Sequence, residues 1–360
     1  MSTVNTSKRN DSLDYLRGLA ATGVMIYHMN LLCFGEVDAS TVLAKVKIFA
    51  VSIFYVLSGL TLYISNKKSA LPEKNSMIEF YLKRFFRIFP LMWLAVCFTY
   101  LLNSEPEFYH IKRLIVNFLI LPGMIRPDGF VANGAWSIGN ELFFYLFFPL
   151  FFYLNKLKKT YFYLSLLVLV ATFCLFTFVL MDPSIQLGYQ WSKFVNPFNQ
   201  FLYFGVGILV ATLPMPSSLI KKWAPLLIFI SLLLVIYYPV HGEPVLLVTG
   251  INRILLSSLI MFICYLFYIS DFNFLPAFLR WTLKYLGDTS YSIYLLHPLV
   301  FILVERINHR YFTPNPYLII VSTVVITLPL SGLVYNTFEK YFLNYGKKYI
   351  DNRRNKLAIK

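Results

Sequence analysis

The segment that decides the fold is "LDYLRGLAATGVMIYHMNLLCF" at residues 13–34, an apolar stretch that carries charged and polar side chains. It is long enough for one α-helix to cross the hydrocarbon core of a bilayer, which takes about 20 residues. An ionisable group inside such a helix costs about 2.5–3.5 kcal/mol or more. Asp14, Arg17 and His28 should therefore face the interior of a helix bundle or a polar cavity.

Apolar segments of similar length recur along the whole chain. Of its 360 residues, 58% are hydrophobic and only 14% are charged, whereas a soluble protein carries about a quarter charged residues. The composition therefore predicts an all-α fold, a polytopic membrane bundle of about ten transmembrane helices. The predicted spans are 13–34, 47–65, 86–103, 136–155, 161–181, 197–213, 223–240, 251–270, 284–307 and 316–338.

These spans leave only short connections, so we expect one integral membrane domain over residues 1–360 and no separate soluble domain. Residues 1–12 form the N-terminus of this domain, 13–338 the transmembrane bundle and 339–360 a basic tail. The first span lacks a small-residue cleavage site, so we expect a retained anchor rather than a removed signal peptide.

Basic residues divide unequally between the two sides of the predicted bundle. Of the 32 lysines and arginines, 22 fall on the side that holds both termini and 9 on the other, and Arg17 lies inside a span. Loops rich in lysine and arginine stay in the cytoplasm, so both termini are expected there and the protein in the inner or plasma membrane of the cell.

The same distribution accounts for the net charge of +15, so we expect the lipid bilayer and no nucleic acid among the partners. The tail "KKYIDNRRNKLAIK" at 347–360 is expected to set the topology and to attract anionic lipid headgroups, without chemistry of its own.

The polar residues of the first span lie on one face of the helix. His28 lies eleven positions after Arg17, which at about 100° per residue is three turns and about 20°, over about 16 Å. Asp14, one turn before Arg17, shares this face. These three side chains on one face of the helix could take part in a chemical reaction. Alternatively, Asp14 and Arg17 form an ordinary interfacial ion pair and His28 bonds a neighbouring helix.

The fourth span contains a second buried acid. It begins within "NGAWSIGNELFFYLFFPLF" at 133–151, and Glu141 lies one to two turns from its outer end. His28 lies at a similar distance from the outer end of the first span, so the two are expected at the same depth and near each other. A carboxylate beside a histidine fixes its tautomer and raises its basicity, as in a general base. A structural hydrogen bond by Glu141 is the alternative.

Two further segments carry polar groups near the predicted cytoplasmic side. In "YLKRFFRIFPLMW" at 81–93, Arg84 and Arg87 share a helix face and could grip one polyanion. Positive-inside anchoring is the alternative. The late span "LGDTSYSIYLLHPLV" brings hydroxyl groups and an imidazole toward the middle of the membrane, from Ser290, Tyr291, Tyr294 and His297. Hydroxyl groups in spans also bond neighbouring helices for structural reasons alone.

Five segments, taken in order, resemble the motifs of the acyltransferase 3 family of integral membrane acyltransferases. They cover the chain from residue 13 to about residue 298. The first two matches are Arg17 and His28, with ten residues between them, and "FYVLSGLTLY" from Phe54. The third is the RxxR pair Arg84 and Arg87, and the fifth is "SYSIYLLHP" from Ser290. The fourth is the set Trp136, Ser137, Glu141, Phe144 and Tyr145. Many members carry a second acid or a glutamine near the glutamate, where this chain has Asn140, Leu142 and Phe143.

The resemblance implies transfer of an acyl group, most often acetyl, from cytoplasmic acetyl-CoA or another acyl-CoA. The implied acceptor is a hydroxyl of an envelope polysaccharide, a lipid-linked saccharide or a small molecule. It implies catalytic roles for His28, Glu141, Arg17 and Asp14, and binding of the donor by Arg84, Arg87, Ser290 and Tyr291. His28 could deprotonate the acceptor or carry the acyl group itself. With no cysteine or histidine cluster in the sequence, we expect a reaction without a metal ion.

Two other classes of protein fit the same pattern. Spans with buried histidine, glutamate and arginine suit a proton-coupled transporter or a flippase for lipid-linked glycans. Transporters are often built from inverted repeats, and none is visible in this sequence. A non-catalytic subunit that retains the fold is the third possibility.

Overall fold

The computed structural model describes residues 11–102, 111–120 and 129–358. Every regular element in these ranges is helical. The helices are α1 Asp11–Phe34, α2 Val42–Asn66, α3 Lys74–Leu102, α4 Ile111–Phe118, α5 Ala135–Leu157, α6 Lys159–Leu175, α7 Pro197–Thr212, α8 Ser218–Ile236, α9 Gly250–Ile269, α10 Ala277–Asp288, α11 Ser290–Tyr311, α12 Pro316–Val334 and α13 Lys340–Ala358.

The helices agree with the predicted polytopic bundle in type and order. Among the described residues, eight helices are long and apolar enough to cross a membrane, or nine if the turns at Leu187–Phe194 and the helix α7, bent by 57°, count as one span. The helix α1 is not among the eight, and it carries the polar residues Arg17, His28 and Asn30 even in its more apolar part. An all-helical membrane fold is thus confirmed. The count of ten and the side on which the termini lie remain predictions.

The end of the chain differs from the predicted polar tail. The last predicted span ends at residue 338, but the helix continues beyond it. The helix α12 is followed by a π-helical turn, Tyr335–Glu339, and then by α13. One helical stretch therefore runs from Pro316 to Leu357. Its second half packs on α3, where a Cβ on Gly346 would come within 2.6 Å of the ring of Phe86. The tail is therefore a docked element of the bundle.

Close backbone contacts set the centre of the bundle. A Cβ on Gly59 of α2 would lie 2.1 Å from the carbonyl oxygen of Phe204, and one on Gly207 of α7 would lie 2.1 Å from that of Val56. The two helices therefore touch backbone to backbone, which only small residues permit. This contact fixes the height and rotation of α2.

A second contact of the same kind joins α1 to α10. A Cβ on Gly287 would lie 2.3 Å from the carbonyl oxygen of Asp14, and one on Gly18 would lie 2.6 Å from the backbone nitrogen of Gly287. The end of α10 is thereby held against the first turns of α1. Lys284, one turn before Gly287, is brought to the buried Asp14.

Candidate active site

A polar cavity of about 630 Å³ lies inside the bundle, between α1, α2, α3, α5, the start of α11 and the turn that joins α12 to α13. This volume is in the range of pockets that bind small molecules and cofactors. Seven of the eight residues predicted for the site line it: Asp14, Arg17, Arg84, Arg87, Glu141, Ser290 and Tyr291. The eighth, His28, is not among the lining residues.

Asp14 is the centre of an ion cluster at the wall of the cavity. Its side chain is buried and forms the predicted pair with Arg17, at 3.2 Å between Nη1 and Oδ1. The other carboxylate oxygen accepts from the ammonium of Lys284 at 2.6 Å. Two cations on one buried carboxylate balance its charge and fix the direction of the arginine. Sequence analysis did not find Lys284, since only the contact between α1 and α10 brings it here.

Glu141 is held by hydroxyl groups from two helices. Its carboxylate accepts hydrogen bonds from Ser58 of α2 and from Tyr145, one turn later on α5. The guanidinium of Arg84 lies over the ring of Tyr145, 6.0 Å from its centre. The carboxylate, the phenol and the guanidinium thus form one connected group in the cavity wall.

Arg84 and Arg87 both reach the cavity, as their spacing on α3 predicts. Within the described chain, no carboxylate lies within ion-pair distance of either guanidinium. The Nε of Arg84 is buried without a hydrogen-bond partner among the described residues. A buried N–H donor without a partner is costly, and a bound anion at Arg84 would relieve that cost.

Ser290 and Tyr291 line the cavity, but each hydroxyl group donates its hydrogen bond to a backbone carbonyl group. Ser290 donates to Gly287 at 2.9 Å, and Tyr291 donates to Ile88 at 2.7 Å. Ile88 follows Arg87 directly, so Tyr291 anchors the turn of α3 that carries the arginines. These contacts are structural, and donor binding by the two hydroxyl groups stays a prediction.

His28 does not meet Glu141, which corrects the pairing expected from their depths. Its Nδ1 lies 2.8 Å from Nε2 of His297 on α11, and the two rings stack with centres 5.1 Å apart. Depth along a helix does not fix the direction in which a side chain points, and α1 is rotated so that His28 faces α11. The partner is therefore an imidazole and not a carboxylate.

The hydrogen bonds of the histidine pair assign its tautomers. Nδ1 of His297 lies 2.9 Å from the carbonyl oxygen of Ile293. Because a carbonyl only accepts, this nitrogen carries the proton, and Nε2 of a neutral His297 must then accept from His28. His28 accordingly donates through Nδ1, which leaves a basic lone pair on its Nε2.

Tyr294 stands between the cavity and the histidine pair. It lines the cavity, its ring centre lies 6.2 Å from that of His297, and its hydroxyl is 2.8 Å from that of Ser137. Gly134, with φ of +79°, leaves room for this hydroxyl, which donates to its carbonyl oxygen. A reacting group that passes Tyr294 would reach the histidines.

Glu339 is a cavity residue that sequence analysis missed. It ends the π-helical turn, is buried, and its carboxylate accepts from Ser292 of α11. The only signal in the sequence is an acid directly after a predicted span, which reads equally well as an interfacial charge. A π-helical turn cannot be read from sequence, although such turns often occur at functional sites.

Within the described ranges, no group of three or more histidine, cysteine, aspartate or glutamate side chains is arranged to hold a metal ion. Independence of metal stays a prediction.

The described part of the chain thus forms a membrane-type helical bundle with a cavity lined by charged side chains and a hydrogen-bonded histidine pair nearby. Residues 10–336 match the family model described as an acyltransferase domain, that of acyltransferase 3. The chain belongs to this family. The family and the enzyme class that the five motifs predicted are confirmed.

Three relatives are named as acetyltransferases. A candidate acetyltransferase, ORF330 of Acidianus two-tailed virus, is 25% identical over 79% of this chain and 81% of its own. A candidate peptidoglycan O-acetyltransferase, YrhL of Bacillus subtilis, is 24% identical over 95% of this chain and 56% of its own length. The peptidoglycan O-acetyltransferase OatA of Listeria monocytogenes is 26% identical over 94% of this chain and 57% of its own length.

The chain thus spans little more than half the length of the two peptidoglycan O-acetyltransferases. No solved structure matches it.

Proposed function

We propose that this protein transfers an acyl group, most simply acetyl, from acyl-CoA to a hydroxyl of a cell-envelope polysaccharide or a lipid-linked saccharide. The observation that carries the proposal is one cavity that joins two arginines, neither of which forms an ion pair with the described residues, to the neighbourhood of the histidine pair: Arg84 and Arg87. The names of the Bacillus and Listeria relatives support a glycan acceptor.

The donor would enter at the arginine pair. Guanidinium groups recognise phosphate oxygens through paired hydrogen bonds, and a phosphate group of CoA would accept such bonds from the two arginines. The pantetheine arm would then lie along the cavity toward Tyr294, past Arg17, whose guanidinium Asp14 holds in place. The thioester carbonyl would arrive near His28.

His28 would act through its Nε2. That nitrogen takes the proton of the acceptor hydroxyl while the hydroxyl oxygen bonds to the thioester carbon. The tetrahedral intermediate then breaks its carbon–sulfur bond, and the departing thiolate takes the proton from His28. During this step the imidazolium of His28 keeps donating from Nδ1 to His297, so the hydrogen bond supports the charged form.

The same geometry allows a covalent route. The Nε2 of His28 could attack the thioester, release the CoA thiolate and carry the acyl group as an acyl-imidazole, which the acceptor hydroxyl then cleaves. A labelled protein adduct in the absence of acceptor would distinguish this route from direct transfer.

Glu141 would act on the donor side rather than as the partner of His28. Its carboxylate orients Tyr145, whose ring lies against the guanidinium of Arg84. Through this contact Glu141 would position the arginine that binds the phosphate.

The test is turnover of radiolabelled acetyl-CoA by the purified protein in proteoliposomes, with and without a glycan acceptor. We expect His28→Ala to lower the rate by roughly 100-fold or more, the scale of a lost general base. His309→Ala, at an exposed histidine near the end of α11, should retain the wild-type rate. Normal acetylation by His28→Ala would refute the assignment of His28. Movement of a lipid-linked glycan across the vesicle without use of acetyl-CoA would favour the transporter hypothesis.

A further inference from the structure

A second cavity of about 360 Å³ lies between α3 and the tail helix α13. Arg84, Arg87 and Leu343 line this cavity and the main one alike, so the two spaces meet at the arginine pair. We call the second space the tail cleft. Its remaining charged residues are Lys83 on α3, and Lys347, Asp351 and Arg354 on α13.

The positive charge of the tail cleft is only partly compensated. Arg354 is neutralised by Glu79, to which it donates from Nε at 2.7 Å, with Asp351 at 3.8 Å. In contrast, no carboxylate of the described chain lies within ion-pair distance of Arg87 or Lys347. Lysine and arginine side chains from two helices outnumber the carboxylate on this concave surface, which suits a phosphorylated ligand.

The tail cleft is a rigid site, because several contacts hold α13 against α3. Besides the ion pair with Glu79, Arg353 donates to the side chain of Asn75 at 3.3 Å. The ring of Phe86 packs edge-on to Tyr345 and leaves no space for a side chain on Gly346. Attraction to lipid alone would not require a docked helix.

We propose that the tail cleft binds the nucleotide end of acyl-CoA, and that Lys347 supplies one wall of its phosphate site. This inference rests on the proposed function, in which acyl-CoA is the donor. With the pantetheine arm in the main cavity, the diphosphate would lie at Arg84 and Arg87, where the two spaces meet. The 3′-phosphoadenosine would then have to extend into the adjoining tail cleft, toward Lys347.

An anionic lipid headgroup offers the same phosphate chemistry, so the test must separate the two sources. The protein is reconstituted in nanodiscs of phosphatidylcholine alone and in nanodiscs that also contain phosphatidylglycerol. The probe is adenosine 3′,5′-bisphosphate, which carries the phosphoadenosine without the pantetheine arm, and its binding is measured by calorimetry.

In phosphatidylcholine we expect the bisphosphate to bind, with a Kd about 10-fold higher for Lys347→Ala, as for the loss of one charge-assisted hydrogen bond. Lys347→Arg should restore the affinity. Lys348→Ala, a matched exposed lysine on the same helix that does not line the cleft, should leave the Kd unchanged. In turnover, Lys347→Ala should raise the KM for acetyl-CoA, leave kcat unchanged and leave the KM for acetyl-pantetheine unchanged.

Equal affinity of Lys347→Ala and wild type for the bisphosphate would overturn the proposal, while turnover of acetyl-CoA would still support the proposed function. A second result would also overturn the proposal: phosphatidylglycerol abolishes binding of the bisphosphate, and the protein holds phosphatidylglycerol only when Lys347 is present. The cleft would then be a lipid site. A wild type that neither binds the bisphosphate nor turns over acetyl-CoA or acetyl-pantetheine would overturn both proposals.

Discussion

Among single residues, His297 determines which nitrogen of His28 carries the proton. It is almost fully buried, its Nδ1 is committed to the carbonyl of Ile293, and its Nε2 is left to face His28. A histidine without such a partner would exchange freely between two tautomers and ring orientations. His297 therefore acts as a positioning residue, since it touches the proposed base and not the reacting atoms.

This role predicts different outcomes for two substitutions. His297→Ala removes the acceptor for His28 and should lower kcat by roughly 100-fold, with little change in the KM for acetyl-CoA, since the proposed phosphate site is at Arg84 and Arg87. His297→Gln offers a side-chain carbonyl oxygen as acceptor and should recover part of the loss. The measurement is steady-state kinetics of both variants in proteoliposomes. If Gln recovers nothing while both variants remain folded, the hydrogen bond is not what His297 contributes.

At the scale of elements, the contact between α2 and α7 positions a site residue. Ser58, which donates to Glu141, directly precedes Gly59, whose missing side chain lets the helices touch. Any outward shift of α2 at Gly59 therefore moves Ser58 away from the carboxylate. The glycine in the motif "FYVLSGLTLY" thus has a packing reason in this structure.

Gly59→Ala should accordingly destabilise the bundle and lower activity together. The new Cβ would meet a backbone carbonyl at 2.1 Å, and neither helix can relieve this clash by rotating a side chain. We expect a clear drop in Tm in detergent, of a size typical of a core substitution that costs about 1–3 kcal/mol. Gly188→Ala is the control, because nothing lies within 4 Å of its Cβ position. An unchanged Tm for Gly59→Ala would mean that the helices are not in direct contact.

At the scale of the whole molecule, the open question is which membrane side supplies the donor. The arginine pair and the tail helix meet at one end of the bundle, through the contacts of α13 with α3. The excess of lysine and arginine predicts that this end faces the cytoplasm, where acyl-CoA is made.

An impermeant maleimide tests this orientation with single cysteines in a chain whose four cysteines are replaced by alanine. In intact spheroplasts, the reagent should label Ser184→Cys, in a loop on the predicted outer side. Glu73→Cys, just before α3, and Lys348→Cys, on the tail helix, should become reactive only after lysis. All three positions are exposed. Labelling of Lys348→Cys in intact cells would reverse the orientation and move the donor to the other side.

Much of this protein follows from its sequence alone. Apolar runs near 20 residues can only be helices in a bilayer, because each backbone polar group must be satisfied within its own segment. Helical periodicity placed Asp14 with Arg17 and Arg84 with Arg87, since those pairs lie one turn apart on one element. Seven of the eight predicted site residues line the cavity, because polar groups within membrane spans must face the interior of the bundle or a polar cavity rather than lipid.

Only the tertiary structure decided which helices face each other. Contacts between distant segments depend on the rotation and height of each helix. They include the contacts of His297 with His28, of Ser58 with Glu141 and of Lys284 with Asp14. Glycine contacts between backbones set these quantities, and periodicity within one helix carries no information about them. The docked tail helix was missed for the same reason. Its basic residues read as a lipid anchor in the sequence, whereas packing against α3 places two of them, Lys347 and Arg354, in a cleft beside the cavity.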